Sequence, residues 1–269
     1  MTTQPHAPVQ AAPRATVSGI PFGRLLSVEF RKSWNTRSGF WLLFTIGALV
    51  LVAELIAAIV TAVQDVDDVN LGTFATVAGV ITQLLLPTLG ILLVTSEWSQ
   101  RTAMVTFALE PRRSRVIQAK LVVSLVWTAI TVIFALAMGA VFNLLYGAIN
   151  GSISWSGGAG VVGFIITQAI AMLIGFAFAA LLLNSPAALV VYVAYLFVLP
   201  TILGIGSALM DWFKSFADWI GFSQAQQPLY DGFWNMSGSE WGKLIVSGCI
   251  WLGIPLAFGL RRILRAEVK

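Results

Sequence analysis

Six stretches of apolar residues, each close to the length that crosses a bilayer, decide what this chain can become. A transmembrane helix needs about 17–25 predominantly apolar residues at about 1.5 Å rise each. Runs of that length occupy approximately residues 40–63, 71–95, 116–146, 159–183, 187–206 and 243–260. The third exceeds the requirement and predicts a helix that tilts or continues beyond the membrane. Only Asn184, Ser185 and Pro186 separate the fourth from the fifth. A proline suits the first turn of a new helix, so these two spans form a hairpin. With 58% hydrophobic and 10% charged residues, against roughly a quarter charged in a soluble domain, the chain cannot cover itself with a water-compatible surface. The expected fold class is all-α, a polytopic bundle of six transmembrane helices over residues 21–269. A polar, proline-rich tail over residues 1–20 precedes it and is expected to be disordered.

The basic residues set an orientation. Arg14, Arg24, Arg31, Lys32 and Arg37 precede the first span, and Arg101, Arg112, Arg113, Arg115 and Lys120 lie between the second and third. Arg261, Arg262, Arg265 and Lys269 follow the sixth, so that 14 of the 16 basic residues share one side. Lys214 and Lys243 fall on the other, among Asp65, Asp67, Asp68, Asp211, Asp218, Asp231 and Glu240. Basic residues flanking spans are retained on the cytoplasmic side, so both termini are expected in the cytoplasm and the protein in the cell membrane. Five or seven spans would separate the clusters. Arg112, Arg113, Arg115, Arg261 and Arg262 are the expected topology anchors. Membrane topology accounts for the +4 net charge, and no nucleic-acid partner is implied.

Two further segments are amphipathic. Over residues 21–37, Phe22, Leu25, Leu26 and Phe30 gather on one helical face opposite Arg24, Arg31 and Asn35, as in a helix lying on the inner membrane surface. Over residues 208–222, Leu209, Trp212, Phe213, Phe216, Trp219 and Ile220 oppose Asp211, Lys214, Ser215 and Asp218. This second helix is expected in, or re-entrant into, the outer interface. There Trp212, Trp219, Trp234 and Trp241 would serve as aromatic-belt anchors, and Phe216 and Trp219 are candidates for a gate.

Catalytic chemistry finds little support. The only histidine is His6, which removes serine–histidine chemistry and histidine metal sites from the spans. No G-x-x-x-x-G-K-[ST] run is present to cradle a phosphate, the nearest being Gly238–Leu244 with the wrong spacing. No catalytic, cofactor or metal residue is assigned, and no enzyme is expected. Cys249 lies in an apolar run and has no intrachain partner. Glu54 is the one acid well inside a span, and two uses stand open: a pathway residue, or a structural group that snorkels or hydrogen-bonds in the outer half of the membrane. Gln83, Asn143, Gln168 and Asn184 are candidates for interhelical hydrogen bonds, and Pro87 and Pro200 for kinks.

The connection between spans two and three runs Ser96-Glu97-Trp98-Ser99-Gln100-Arg101-Thr102-Ala103-Met104-Val105-Thr106-Phe107-Ala108-Leu109-Glu110-Pro111-Arg112-Arg113-Ser114-Arg115. It predicts a short helix against the inner face, broken at Pro111. That helix either packs on its own bundle or presents Trp98, Met104, Val105 and Phe107 to a partner. The segment resembles the intracellular connection of ABC type 2 exporter permeases. There a Glu-aromatic pair, a threonine, a proline with basic residues and a lysine entering the next span recur, here Glu97, Trp98, Thr102, Pro111, Arg112, Arg113 and Lys120. Gln100 and Arg101 depart from the glycine that many relatives carry before the threonine. The resemblance implies one half of a dimeric transmembrane unit, pairing with a second copy or paralogue and with separate ABC ATPase subunits that bind the ATP. It casts Glu97, Trp98, Arg101, Thr102, Met104 and Val105, with the amphipathic helix before the first span, as the ATPase-coupling surface. A stand-alone transporter or channel and a non-transporting scaffold or immunity protein are the competing classes. The substrate is not legible.

Overall fold

The computed structural model describes residues 20–265 apart from positions 65, 67, 68, 101 and 152. The tail before residue 20, Arg101, Asp65, Asp67, Asp68 and Lys269 therefore lie outside the described residues. Within them the chain is all-α, with no strand. It is a multi-pass membrane protein, with six helices long and apolar enough to cross a bilayer.

Helix α1 (Phe22–Trp34) is followed at once by α2 (Arg37–Val63), whose start is fixed by the Thr36 side chain accepting from the Gly39 amide. Helix α3 (Leu71–Ser99) opens on a capping box between Asn70 and Thr73 and runs through Pro87. The short α4 (Ala103–Leu109) leads to α5 (Arg113–Asn150), which Gly151 closes in a left-handed conformation at φ 78°. Helix α6 (Gly158–Leu182) turns through Leu183, at φ 52°, into α7 (Ser185–Val193), which Asn184 caps and Pro186 initiates. The hairpin expected from those residues is present. A π turn (Ala194–Val198) joins α7 to α8 (Leu199–Leu209), making one span of Ser185–Leu209. Helices α9 (Asp211–Ile220) and α10 (Phe222–Ala225) follow, then two short 3₁₀ turns. The sixth span begins at Gly238, earlier than the apolar run suggested, because Ser237 and Glu240 form a capping box ahead of the hydrophobic residues. It consists of α11 (Gly238–Gly248), a second π turn (Cys249–Gly253) and α12 (Ile254–Arg265).

Helices α3 and α6 form the centre: 56% and 61% of their most apolar windows are buried, against 17% for both the first and the sixth span. Small residues let them approach. A Cβ on Gly175 would lie 2.7 Å from the Pro87 Cβ, and one on Gly90 would lie 2.5 Å from the Met172 sulfur. Helix α12 is held against the end of α6 in the same manner, since a Cβ on Gly259 would lie 2.7 Å from the Leu181 backbone nitrogen. With no water to exclude between lipid-solvated helices, such close packing is the main source of cohesion.

Between spans five and six the expected amphipathic helix is present as α9, which packs beside α8 and α11 with Trp212 and Phe216 exposed. The 3₁₀ turn Gln227–Asp231, which was not expected, packs into the bundle against α6. Leu229 is buried, the backbone of Leu229 and Tyr230 would lie within 2.8 Å of a Cβ on Gly163, and the Tyr230 hydroxyl lies 2.9 Å from Thr167 Oγ1.

Candidate functional site

One end of the bundle gathers α1, α4, the start of α5 and the end of α12. Arg115 donates to the Ile20 carbonyl and Arg113 to the Ile263 carbonyl, so both described ends of the chain lie there. Arg262 donates to the Leu181 carbonyl. Three of the five arginines named as topology anchors thus also tie elements together, whereas Arg112 and Arg261 are exposed.

At the heart of this basic end is a four-residue ion cluster. Glu29 of α1 sits at 1% exposure, and Glu97 near the end of α3 and Lys120 of α5 are also buried. Lys120 Nζ lies 2.7 Å from Glu29 Oε2 and 3.3 Å from Glu97 Oε1, and donates to the Leu93 carbonyl at 3.0 Å. Lys32 Nζ, at the rim, lies 2.8 Å from Glu29 Oε1 and 2.9 Å from Glu97 Oε1. Two carboxylates and two ammonium groups leave no net charge, which is how buried ions are tolerated. Burial works to lower the pKa of Lys32, but its hydrogen bonds to Glu29 and Glu97 and their charges outweigh this and hold it above its ordinary 10.5. Thr106 of α4 donates to Glu97 Oε1 at 3.2 Å, so one carboxylate binds α1, α4 and α5 to α3. Alongside, Trp127 donates from Nε1 to Ser33 Oγ at 2.7 Å and stacks on Phe30 at 5.0 Å between centroids, docking α1 along α5.

The short helix begins at Ala103, and Glu97 belongs to α3, buried in the ion cluster at the cavity wall. Trp98 is half-buried, with its ring 6.1 Å from Phe107, over which the Arg113 guanidinium lies at 4.9 Å. Thr102 precedes α4, its amide bonded to the Glu97 carbonyl. Met104 and Val105 are exposed, and Leu109, absent from the sequence-based set, is exposed as well. One side of the connection therefore packs on the bundle, with Trp98 and Phe107, and Met104, Val105 and Leu109 lie exposed on the other.

Sequence reasoning missed Glu29. The readable signal is a lone acid on the inward stripe of an amphipathic helix, in line with Leu25 and Ser33 at spacings of four.

For Glu54 the structural alternative is not met: it is fully buried between α2, α3 and α5, and both carboxyl oxygens lack a partner among the described residues. Oε1 would lie 3.5 Å from a Cβ on Gly139, which also faces Phe74. Of the polar candidates, Gln168 bonds across to the Gly79 carbonyl at 3.4 Å, Asn143 to the Ser154 carbonyl in the following loop, and Asn184 serves as a helix cap. Phe216 packs on Phe213, and Trp219 would meet a Cβ on Gly242 at 3.2 Å.

Between α1, the ends of α3 and α4, and the start of α2 lies a cavity of about 760 Å³, with the ion cluster in its wall. No protein-family model matches the chain, and no curated protein matches it.

Proposed function

We propose that this chain is the membrane-spanning subunit of an ATP-driven exporter of the ABC type 2 class, supplying half of a transmembrane pathway and pairing with a second copy or a paralogue. The two termini and α4 face the cytoplasm in this reading, where a separate ATPase subunit docks. The observation that carries it is α4: a two-turn helix with Met104, Val105 and Leu109 exposed, fastened to α3 through Glu97. A short helix with an open apolar side and a rigid mount suits the transmission of a push from a soluble partner. The resemblance of Glu97-Trp98, Thr102, Pro111, Arg112, Arg113 and Lys120 to the connection in those permeases supports the same assignment.

Co-expression with the ATPase encoded nearest its gene tests this. A stable complex whose ATP hydrolysis is stimulated by the permease is expected. Val105→Asp and Leu109→Asp, both at exposed positions, should abolish stimulation while leaving the permease folded in the membrane. Undiminished stimulation in both variants refutes the docking assignment. A second reading, ion-coupled transport without an ATPase, draws on the unpartnered Glu54 carboxyl. Uptake by proteoliposomes driven by an ion gradient in the absence of ATP would favour it.

A further inference from the structure

The α3 wall of the cavity beside the ion cluster changes character along the helix, from Leu89, Leu92 and Leu93 to Ser96, Ser99 and Gln100, and α1 faces it with Arg24, Val28 and Lys32. From Leu89 to Ser99 the α3 axis rises about 15 Å, or half of the roughly 30 Å hydrocarbon core. A wall that passes from leucines within a span to polar residues at its end matches a lipid, with its apolar chain and polar head, more closely than a loop of a soluble partner. The volume of about 760 Å³ lies within the range of roughly 300–1,000 Å³ typical of small-molecule sites.

Charge selects the head group. The carboxylates lining the cavity are committed: Glu29 and Glu97 to Lys32 and Lys120, and Glu110 to Arg115 at 2.9 Å. The Arg24 side chain makes no hydrogen bond or ion pair with a described residue, and the residue is exposed on the cavity wall. A guanidinium matches a phosphate in two parallel hydrogen bonds. The uncommitted charge at the mouth is therefore positive, next to hydroxyl and amide groups free to bond phosphate oxygens.

We propose that this cavity binds one anionic phospholipid from the adjoining leaflet, with its phosphate on Arg24 and one acyl chain along Val28, Leu89 and Leu92. The leaflet is the inner one if the basic end faces the cytoplasm. Val105 and Leu109 of α4 also line the cavity, but the test of lipid binding requires no ATPase. A bound lipid would fill the gap between α1 and α3 and brace the mount of α4.

The full-length protein is purified in detergent, supplemented with equal amounts of phosphatidylglycerol and phosphatidylcholine, washed, and its retained lipid counted by native mass spectrometry. About one phosphatidylglycerol per chain is expected, with phosphatidylcholine largely lost. Arg24→Ala should weaken retention about tenfold, the scale of one charge-assisted hydrogen-bonded contact. Arg31→Ala, on the same helix but outside the cavity, should change it less than about twofold. Val28→Trp adds bulk from a position that is 44% exposed and so should fill the cavity without unfolding the helix, abolishing retention; Leu92→Trp does the same from the opposite wall. Equal retention of both lipids, equal loss in the Arg24 and Arg31 variants, or retention that survives both tryptophans overturns the proposal. Displacement by soluble glycerol phosphate as effective as by whole lipid would reduce the site to a phosphate pocket and likewise overturn it.

Discussion

Lys120→Met is the sharpest test of the ion cluster, because it keeps the length and apolar stem of the side chain and removes only the charge. In the native protein the ammonium group serves two buried carboxylates, at 2.7 Å and 3.3 Å, and the Leu93 carbonyl at 3.0 Å. Without it Glu29 and Glu97 keep only the half-exposed Lys32. Removing one member of a buried ionic group costs about 3–5 kcal/mol. Since Lys32 still balances part of the charge, about 3 kcal/mol is expected. Glu29→Gln alone should cost a similar amount by leaving Lys120 undercompensated. The double variant restores charge balance around the remaining Glu97–Lys32 pair, so it should cost less than the sum of the singles by about 1–3 kcal/mol. The assay is unfolding of the purified protein in mixed micelles titrated with dodecyl sulfate. Trp127 provides a local signal, because docking of α1 fixes both its stack on Phe30 and its hydrogen bond to Ser33. If the two single effects add within about 0.5 kcal/mol, the four groups do not act as a unit and the account of the mount is wrong.

Gly175→Val places methyl groups where the Pro87 ring and carbonyl already stand, at 2.7 and 2.9 Å from the Cβ position. It should destabilise by about 1–3 kcal/mol or more, whereas Gly204→Ala, with nothing within 4 Å, should gain up to about 1 kcal/mol of helix propensity; thermal unfolding of the two variants in detergent checks the pair, and an unaffected Gly175 variant contradicts the tight α3–α6 contact. Glu54→Met removes two buried oxygens that have no partner and should raise stability by about 1–3 kcal/mol. A fall would show that the carboxyl is satisfied after all, and lost transport in a stabilised variant would assign Glu54 to the mechanism. The raised pKa of Lys32 makes its contribution fully present below the unfolded value of 10.5 and lost as pH climbs through the higher folded value. Alkaline undocking of α1, read at Trp127, should therefore begin above pH 10.5 and lose amplitude in Lys32→Met; an identical transition in that variant removes Lys32 from the cluster.

The six spans and the hairpin at Asn184–Pro186 were legible because they follow from length, apolarity and one proline, all local. The start of the sixth span shows the limit: the apolar run starts near Lys243, but backbone capping by Ser237 and Glu240 extends the helix to Gly238. Exposure of Met104 and Val105 was one of the two alternatives the connection left open, whereas the inward turn of Glu97 was not foreseen, because its partners Lys32 and Lys120 lie 65 and 23 residues away in sequence. The buried turn at Gln227–Asp231 escaped for a related reason. Its burial depends on Gly163 of α6 leaving room for the Leu229–Tyr230 backbone, and nothing in the turn's own residues announces that.

The distribution of tight and loose contacts indicates how a movement at the basic end would travel. Helices α3 and α6 meet through glycine at two levels and resist repacking. Spans five and six are peripheral, and each carries a π turn followed two residues later by a proline, Pro200 and Pro255. Widening a helix just before a proline relieves the clash of its ring with the preceding turn, and leaves a place where the axis can bend. The Tyr195 and Trp251 rings, one in each π turn, lie 5.3 Å apart, so the two weak points sit together. Below them both spans are pinned to the core: Ser185 reaches Thr95 and Ser99 of α3, and Gly259 lies against α6. A force on α4 enters α3 through Glu97, within two residues of both Ser185 contacts. Under the proposed function, the ends of spans five and six would then move with the mount and flex at the paired π turns, while the α3–α6 centre stays packed.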